Sequence, residues 1–187
     1  MTTPASVNPA GVPAVFLDRD GVINVDVGYP HREQDLEFIP GAAKAIQLLN
    51  QHGYLVVIVT NQSGVARGLI SDHDIGRVNR RVDELFGGFD VWCVCPHSPD
   101  DRCHCRKPQP GLILRAAERL GLTPAQVVVI GDIGSDVDAA AAAGARSILV
   151  PTAHTRFGEI LEAPVVAPDL LSAVDELLTH LQPRGQR

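Results

Sequence analysis

This sequence has few aromatic residues, no long apolar run and no excess of positive charge. Only 4% of its residues are aromatic, and no run approaches the roughly 18 consecutive apolar residues of a membrane-spanning helix. There are 16 Lys and Arg against 22 Asp and Glu, a formal net charge of −6. This balance disfavours nucleic acids and anionic membranes as partners, because both are polyanions. Residues 1–13 contain no basic residue and no apolar core, so we expect no secretory signal and a cytoplasmic location.

The composition predicts one globular domain. With 187 residues, 45% of them hydrophobic, the chain is long and apolar enough to bury a core of ordinary size. We predict a flexible leader over 1–12, a single domain over 13–181 and a flexible tail over 182–187. No internal repeat or interdomain linker is evident in the sequence, and we expect a monomer.

Short apolar runs alternate with amphipathic stretches along the chain. The runs are mostly rich in β-branched residues and show little polar alternation, which is typical of strands buried on both faces. We predict strands over 14–17, 55–59, 127–130 and 147–150, with a fifth over 89–95 and a marginal sixth over 165–167. We predict helices over 41–51, 72–86, 111–120, 136–143 and 169–181. This alternation predicts an α/β fold, a three-layer Rossmann-like parallel sheet with helices on both faces.

Polar residues suited to metal and phosphate binding follow three of the predicted strands. Asp18-Arg19-Asp20 follows the first strand, Thr60-Asn61 the second, and Asp132 follows 127–130 with Asp136 close behind. Parallel topology brings these strand ends to one edge of the sheet. Clustered carboxylates repel one another and favour a bound cation, and hard oxygen ligands suit Mg²⁺. A carboxylate beside this ion can attack phosphorus while a second acid protonates the leaving oxygen.

The motifs and their order resemble those of the haloacid dehalogenase (HAD) phosphohydrolases. The matching segments are FLDRDGVIN (16–24), VTNQSG (59–64), the lysine of CRKPQPG (Lys107) and GDIGSD (131–136). The resemblance implies that Asp18 is the nucleophile, that Asp20 is the general acid and base, and that Thr60 and Lys107 hold the phosphoryl group. It also implies a Mg²⁺ site formed by Asp18, the backbone carbonyl of Asp20, Asp132 and Asp136, the last of which can instead orient the lysine. The short gaps between motifs leave no room for the cap domain that many members insert.

Four cysteines and two histidines fall between residues 93 and 105, a clustering that indicates a metal site in a cytosolic chain. Soft and borderline ligands without a hard oxygen donor favour tetrahedral Zn²⁺ in a closed, structural site. We predict that a zinc loop over 95–105 supplies the ligands Cys95, His97, Cys103 and Cys105. The alternatives are an all-cysteine set that uses Cys93, and four reduced thiols with no metal.

The zinc loop resembles that of two capless HAD families, the heptose-1,7-bisphosphate 7-phosphatases and the histidinol-phosphate phosphatases. DRDGVINVDVGY, EFIPGA, TNQSGVARG and CRKPQPG are similar to the heptose branch, which implies a small phosphorylated sugar as substrate. By this likeness the substrate-binding residues are Asp26, Gly28, Tyr29, Asn61, Gln62, Ser63, Arg67 and Arg106. Arg106 suits a second phosphate because its planar fork binds oxygens in pairs. In two respects the sequence departs from this branch: the zinc turn is short, and Ile133 stands where heptose enzymes carry a lysine.

The sequence therefore predicts Mg²⁺-dependent hydrolysis of a phosphomonoester, with the 7-phosphate of a heptose bisphosphate as the expected target. Histidinol phosphate is the alternative substrate. A non-catalytic zinc module or a phospho-receiver domain is the alternative from another class. Asp20 argues against a receiver, because a general acid and base at this position makes a phosphoaspartate short-lived.

Overall fold

The computed structural model of the chain describes residues 13–30 and 32–180. Five parallel strands form one sheet in the order β3-β2-β1-β4-β5. They are β1 (Ala14–Leu17), β2 (Leu55–Asn61), β3 (Val91–Cys95), β4 (Val127–Gly131) and β5 (Arg146–Leu149). The predicted Rossmann-like parallel sheet is thus confirmed. The predicted leader and tail lie outside the described residues.

Helices cover both faces of the sheet. They are α1 (Ala42–Gln51), α2 (Asp72–Phe86), α3 (Gly111–Arg119), α4 (Gly134–Ala143), α5 (Phe157–Glu162) and α6 (Leu170–His180). Alternate strand residues enter two separate cores: Val15 and Leu17 pack with α1 and α6, whereas Ala14 and Phe16 pack with α3 and α4. None of the helices in the described ranges is long and apolar enough to cross a bilayer.

Two elements differ from the predictions. The sixth strand is reduced to one β-bridge between Leu149 and Val166. Pro164 and Pro168 flank this segment, and proline lacks the N–H group that would extend the pairing. Helix α5 was not predicted, because its six residues are too few to show a helical period.

The register of the sheet brings the predicted motifs to one edge. Leu17, the last residue of β1, pairs with Ile58 of β2 and with Ile130 of β4. Strands β1 and β4 therefore end at nearly the same level, whereas β2 continues three residues beyond Ile58 to Asn61, so that Thr60 and Asn61 are its last residues. The segments that follow these strands form the site described below.

Candidate active site

Three carboxylates meet at the carboxyl edge of the sheet. One oxygen each from Asp18, Asp132 and Asp136 lies within 4.8 Å of the other two, and all three residues are buried. Burial raises the pKa of Asp18 to about 7, against the opposing charge of Lys107 and with the support of Asp136 and Asp20. Burial, with the charges of Asp18 and Asp136, also raises the pKa of Asp132 to about 8. These carboxyl groups therefore resist ionisation together unless a cation joins them.

Lys107 is the buried cation of this cluster. Its Nζ lies 2.9 Å from Asp18 Oδ2 and 2.5 Å from Asp136 Oδ1, and it donates a hydrogen bond to the Val59 carbonyl at 2.9 Å. Burial alone would lower the pKa of Lys107, but Asp136 and Asp18 outweigh it and hold the pKa above its usual value. The ammonium group thus stays charged, and Asp136 orients it toward Asp18.

Asp20 is held apart from the other acids by a set of donors. Arg19, which is fully buried, donates from Nε and Nη2 to the Asp20 carboxylate at 2.9–3.1 Å and from Nη1 to Asn79 Oδ1 at 2.7 Å. Asn24 Nδ2 donates to Asp20 Oδ1 at 2.8 Å, and Gln62 Nε2 donates to Asp20 Oδ2 at 2.7 Å. The side chain of Asp20 is therefore fixed in an orientation that leaves it outside the three-carboxylate cluster.

The turn after β1 requires glycine at position 21. The φ of Gly21 is +82°, and a Cβ atom there would collide with the carboxylate of Asp132. Only glycine combines this backbone conformation with such a close approach. The turn after β1 therefore lies directly against the end of β4, which brings the two carboxylate-bearing segments together.

The three-carboxylate cluster fits a divalent cation. Lys107 offers one positive charge against three buried carboxyl groups, so the cluster has excess negative charge when all three ionise. Carboxylate oxygens at this spacing suit Mg²⁺, which also keeps several waters that a phosphate can replace. The side chain of Asp20 does not belong to the cluster, and the backbone carbonyl that the resemblance implies as a ligand stays a prediction.

A second cluster lies on the loop after β3. The side chains of Cys95, His97, Cys103 and Cys105 offer one ligand atom each, all within 4.8 Å of one another. The Cys95–Cys105 and Cys103–Cys105 sulfurs are 3.2 and 3.5 Å apart, and His97 Nδ1 is 3.3 Å from Cys105 Sγ. Tetrahedral Zn²⁺ with Zn–S bonds of about 2.3 Å requires sulfurs about 3.7 Å apart, so modest expansion would admit the ion.

The remaining cysteine lies outside this ligand set, and the cysteine thiols differ in the direction of their pKa shifts. Cys93 is buried within β3 and stands outside the cluster, and burial raises its pKa. Burial also raises the pKa of Cys95. At Cys103 burial is outweighed by hydrogen bonds, first from Arg106 N–H, which lower the pKa to about 7. All four cysteines are free thiols.

The cysteine loop is joined to the acid cluster through Arg106 and Lys107. Arg106 N donates to Cys103 Sγ at 3.4 Å, and Arg106 Nη1 donates to the His97 carbonyl at 3.2 Å. Lys107 N donates to Asn61 Oδ1, and Asn61 Nδ2 donates to the Lys107 carbonyl, both at 3.1 Å. Asn61 thus ties the loop to β2, so the geometry of the cysteine cluster affects both cations.

A cavity of about 740 Å³ opens over the acids. Of the residues predicted from the sequence, it is lined by Asp18, Asp20, Asp26, Gly28, Tyr29, Asn61, Ser63, Arg106, Lys107 and Asp132. Three other predicted residues, Thr60, Gln62 and Asp136, are buried next to it. Gln62 Nε2 donates to Thr60 Oγ1 at 3.0 Å as well as to Asp20 Oδ2, so its amide N–H groups are bonded to protein atoms. Arg67 is not part of the lining, and its Nη1 donates to Tyr29 Oη at 3.0 Å.

Two threonines after β5 contact the site and were not predicted from the sequence. Thr152 Oγ1 donates to Asp132 Oδ2 at 3.1 Å, and Thr155 Oγ1 donates to the Asp132 carbonyl at 2.5 Å. The rule that functional residues follow parallel strands applies to β5 as it does to the other strands, and it would have identified Thr152. Thr152 fixes the orientation of the Asp132 carboxylate.

Comparisons with known proteins agree with this geometry. A "Haloacid dehalogenase-like hydrolase" family model matches residues 15–73, and a "HAD-hydrolase-like" family model matches residues 104–178. A D-glycero-beta-D-manno-heptose-1,7-bisphosphate 7-phosphatase from Vibrio cholerae is 44% identical over 168 residues, covering 82% of this chain and 90% of the relative. A D-glycero-D-manno-heptose-1,7-bisphosphate 7-phosphatase from Thermosynechococcus vestitus is 37% identical, covering 92% and 98%.

The crystal structure of D,D-heptose 1,7-bisphosphate phosphatase from B. bronchiseptica, complexed with magnesium and phosphate, has a TM-score of 0.82 and 34% identity to this chain. The match covers 89% of this chain and 98% of that one. The order of the strands, the acid cluster and these similarities lead to one conclusion. The chain belongs to the haloacid dehalogenase-like hydrolases, in the same family as these heptose-1,7-bisphosphate 7-phosphatases.

Proposed function

We propose that this chain is a Mg²⁺-dependent phosphatase that removes the 7-phosphate of a D-glycero-D-manno-heptose 1,7-bisphosphate. The observation that carries the proposal is the contact between Lys107 Nζ and Asp18 Oδ2 at 2.9 Å inside a buried cluster of acids. This arrangement holds a carboxylate at the mouth of a cavity with a phosphate-binding cation beside it. The similarity to phosphatases of this substrate supports the choice of sugar.

Asp18 would be the nucleophile. Its Oδ1 accepts a hydrogen bond from Arg19 N at 2.7 Å, and Oδ2 faces Lys107, so the carboxylate is oriented from two sides. An Asp18 oxygen attacks phosphorus, the bond from phosphorus to the sugar oxygen breaks, and an aspartyl-phosphate forms. Lys107 and Thr60 would bind the phosphoryl oxygens as their charge increases.

Asp20 would move the protons. It gives a proton to the departing sugar oxygen in the first step. In the second step it takes a proton from the water that attacks phosphorus; the bond between phosphorus and the Asp18 oxygen breaks, which releases inorganic phosphate and restores the Asp18 carboxylate. Arg19, Asn24 and Gln62 fix the position of its carboxylate. When bound, Mg²⁺ would neutralise charge between the acids and the phosphate, with Asp18, the Asp20 carbonyl and Asp132 as its ligands. Asp136 would orient Lys107 and support the metal.

The cysteine cluster would hold a structural Zn²⁺. Four ligands close the coordination shell and leave no position for chemistry. A loop this short cannot bury a core of its own, so the metal would supply its folding energy. Through Cys103 and the Asn61–Lys107 pair, the ion would fix Arg106 at the cavity and Lys107 within the acid cluster.

We propose that the enzyme works in the cytoplasm as a monomer. All four cysteines are free thiols and three of them share one cluster with His97, and a reducing compartment keeps such thiols available for metal. The monomer is the simplest arrangement, since the described residues of one chain contain all the proposed site residues.

Steady-state kinetics on several substrates tests the proposed function. The α and β anomers of the heptose bisphosphate, histidinol phosphate and an aryl phosphate would be compared with Mg²⁺ and with EDTA. We expect the highest kcat/KM for one heptose bisphosphate, Mg²⁺ dependence throughout, and loss of the C7 phosphate in ³¹P NMR spectra. A higher kcat/KM for histidinol phosphate, or turnover unaffected by EDTA, would contradict the proposal.

A further inference from the structure

The segment from Thr152 to Glu159 forms a wall of the active-site cavity. Its cavity-lining residues belong to none of the sequence motifs and have no role in the proposed chemistry. His154, Arg156 and Glu159 line the cavity from this segment. Ile133 lines the same cavity next to Asp132 and brings no charge. The cavity is lined by three lysine and arginine residues, of which Arg106 and Lys107 belong to the cysteine loop and Arg156 to the segment after β5. Asp138 and Glu159 place carboxylates on the same lining.

The wall is built onto the catalytic strand end. Thr152 and Thr155 hydrogen bond to the carboxylate and the carbonyl of Asp132, and Thr152 N donates to Thr155 Oγ1 at 2.7 Å. His154 N donates to Thr152 Oγ1 at 3.2 Å. These bonds fix the backbone on either side of His154 relative to Asp132.

Arg156 is fixed in the same way at the start of α5. Its backbone N–H donates to Glu159 Oε2 at 2.9 Å. The Glu159 side chain in turn packs on the first residue of α4, since a Cβ atom on Gly134 would meet Glu159 Cγ at 2.8 Å. The backbone of Arg156 is thus anchored to α4, while its side chain is exposed at the cavity.

The guanidinium group of Arg156 is available for a ligand. Within residues 13–30 and 32–180 it has no ion pair or hydrogen bond, whereas Arg19 and Arg32 are paired with carboxylates. Lys107 is already shared between two acids. A bisphosphate brings a second highly charged group into the cavity, and a planar arginine fork can bind two of its oxygens.

We propose that Arg156, with His154 beside it, forms a phosphate subsite that binds the non-reacting phosphate of a sugar bisphosphate, together with Arg106 from the cysteine loop. The inference rests on the proposed function and deepens it: the segment after β5 supplies the positive charge that Ile133 does not. The subsite would distinguish bisphosphates from monophosphates while leaving the chemical step alone.

Arg156→Gln tests this subsite, with Arg146→Gln as the matched control. Arg146 is an exposed arginine at the start of β5, outside the cavity lining. For the heptose bisphosphate, Arg156→Gln should raise KM by about tenfold, corresponding to about 1.4 kcal/mol of binding, with kcat nearly unchanged. Its kinetics on an aryl phosphate should match those of the wild type, and Arg156→Lys should recover part of the lost affinity.

Inhibition separates the failure of this inference from failure of the proposed function. Fructose 1,6-bisphosphate and fructose 6-phosphate would be compared as inhibitors of aryl phosphate hydrolysis, a test that does not depend on the natural sugar. We expect the wild type to bind the bisphosphate more tightly and Arg156→Gln to lose that preference. The subsite is refuted if the wild type shows no preference, or if Arg156→Gln retains it as Arg146→Gln does. Poor turnover of heptose bisphosphate by the wild type, with the preference intact, would refute the substrate and leave the subsite standing.

Discussion

Replacing Asp132 with Asn should stabilise the metal-free protein while abolishing its Mg²⁺-dependent activity. Asp132 is buried, and burial together with the charges of Asp18 and Asp136 raises its pKa from 3.8 to about 8. The folded protein therefore holds this proton more tightly than the unfolded chain does. The stability of the metal-free protein consequently falls as the pH rises from about 4 to about 8. Asparagine carries no charge at any of these pH values, and its Oδ1 can still accept the Thr152 hydrogen bond.

The size of the effect follows from the shift. The pKa of Asp132 shifts by about four units, and each unit corresponds to about 1.4 kcal/mol. The free energy of unfolding gained by Asp132→Asn at pH 8 therefore has an upper limit near 6 kcal/mol. The repulsion is distributed over all the acids of the cluster, and the site can relax. We therefore expect the free energy of unfolding to rise by about 2 kcal/mol. For a domain of this size this raises Tm by about 4–8 °C.

Thermal unfolding in EDTA at pH 5 and pH 8 measures the gain. Asp138→Asn is the control, because Asp138 also lines the cavity but is exposed on α4. The stabilisation should grow with pH in Asp132→Asn and be absent in the control, and added Mg²⁺ should raise Tm only where Asp132 remains. An equal gain in both variants, or one independent of pH, would refute the reasoning.

Two further changes test the general acid and the cysteine cluster. Asp20→Asn should slow sugar-phosphate hydrolysis more than aryl-phosphate hydrolysis, because a good leaving group needs less protonation; equal losses in kcat would contradict this role. The same change leaves the buried guanidinium of Arg19 without its carboxylate partner. It should therefore lower the free energy of unfolding, measured by chemical denaturation, by about 3 kcal/mol. Cys103→Ser should remove the one zinc expected per chain by metal analysis and loosen residues 95–107 in hydrogen exchange, with the sheet still protected. It should raise KM for a bisphosphate and lower kcat on both substrates, since it affects Arg106 and Lys107; unchanged kinetics would show that the loop has no such role.

The sequence was most informative where its physical signal was local. Unbroken apolar runs revealed the central strands, and parallel topology then required Asp18, Thr60 and Asp132 to meet at one edge. The close spacing of Cys95, His97, Cys103 and Cys105 likewise identified a cluster that the fold brings together.

Contacts between distant segments could not be read in this way. Arg19 lies in the middle of a motif, yet nothing local shows that its side chain turns inward to hold Asp20 and Asn79. Gln62 was predicted to contact substrate because of the segment it belongs to, and that stays a prediction; the hydrogen bonds from its Nε2 to Asp20 and Thr60 could not be read from the sequence. The wall after β5 depends on packing across the sheet edge. Helix α5 has only about one and a half turns, which is too short to show a helical period in the sequence.

The central claim is that Asp18 carries the phosphoryl group during turnover. A single-turnover reaction with excess enzyme and a bisphosphate substrate, quenched in acid after milliseconds, would be followed by borohydride reduction, which converts an aspartyl-phosphate to homoserine. Mass spectrometry of the peptide containing residues 16–24 should then find homoserine at position 18, only with Mg²⁺ present and never in Asp18→Asn. Phosphate release with no modified residue at position 18, or an Asp18→Asn variant within about tenfold of wild-type kcat, would contradict the account.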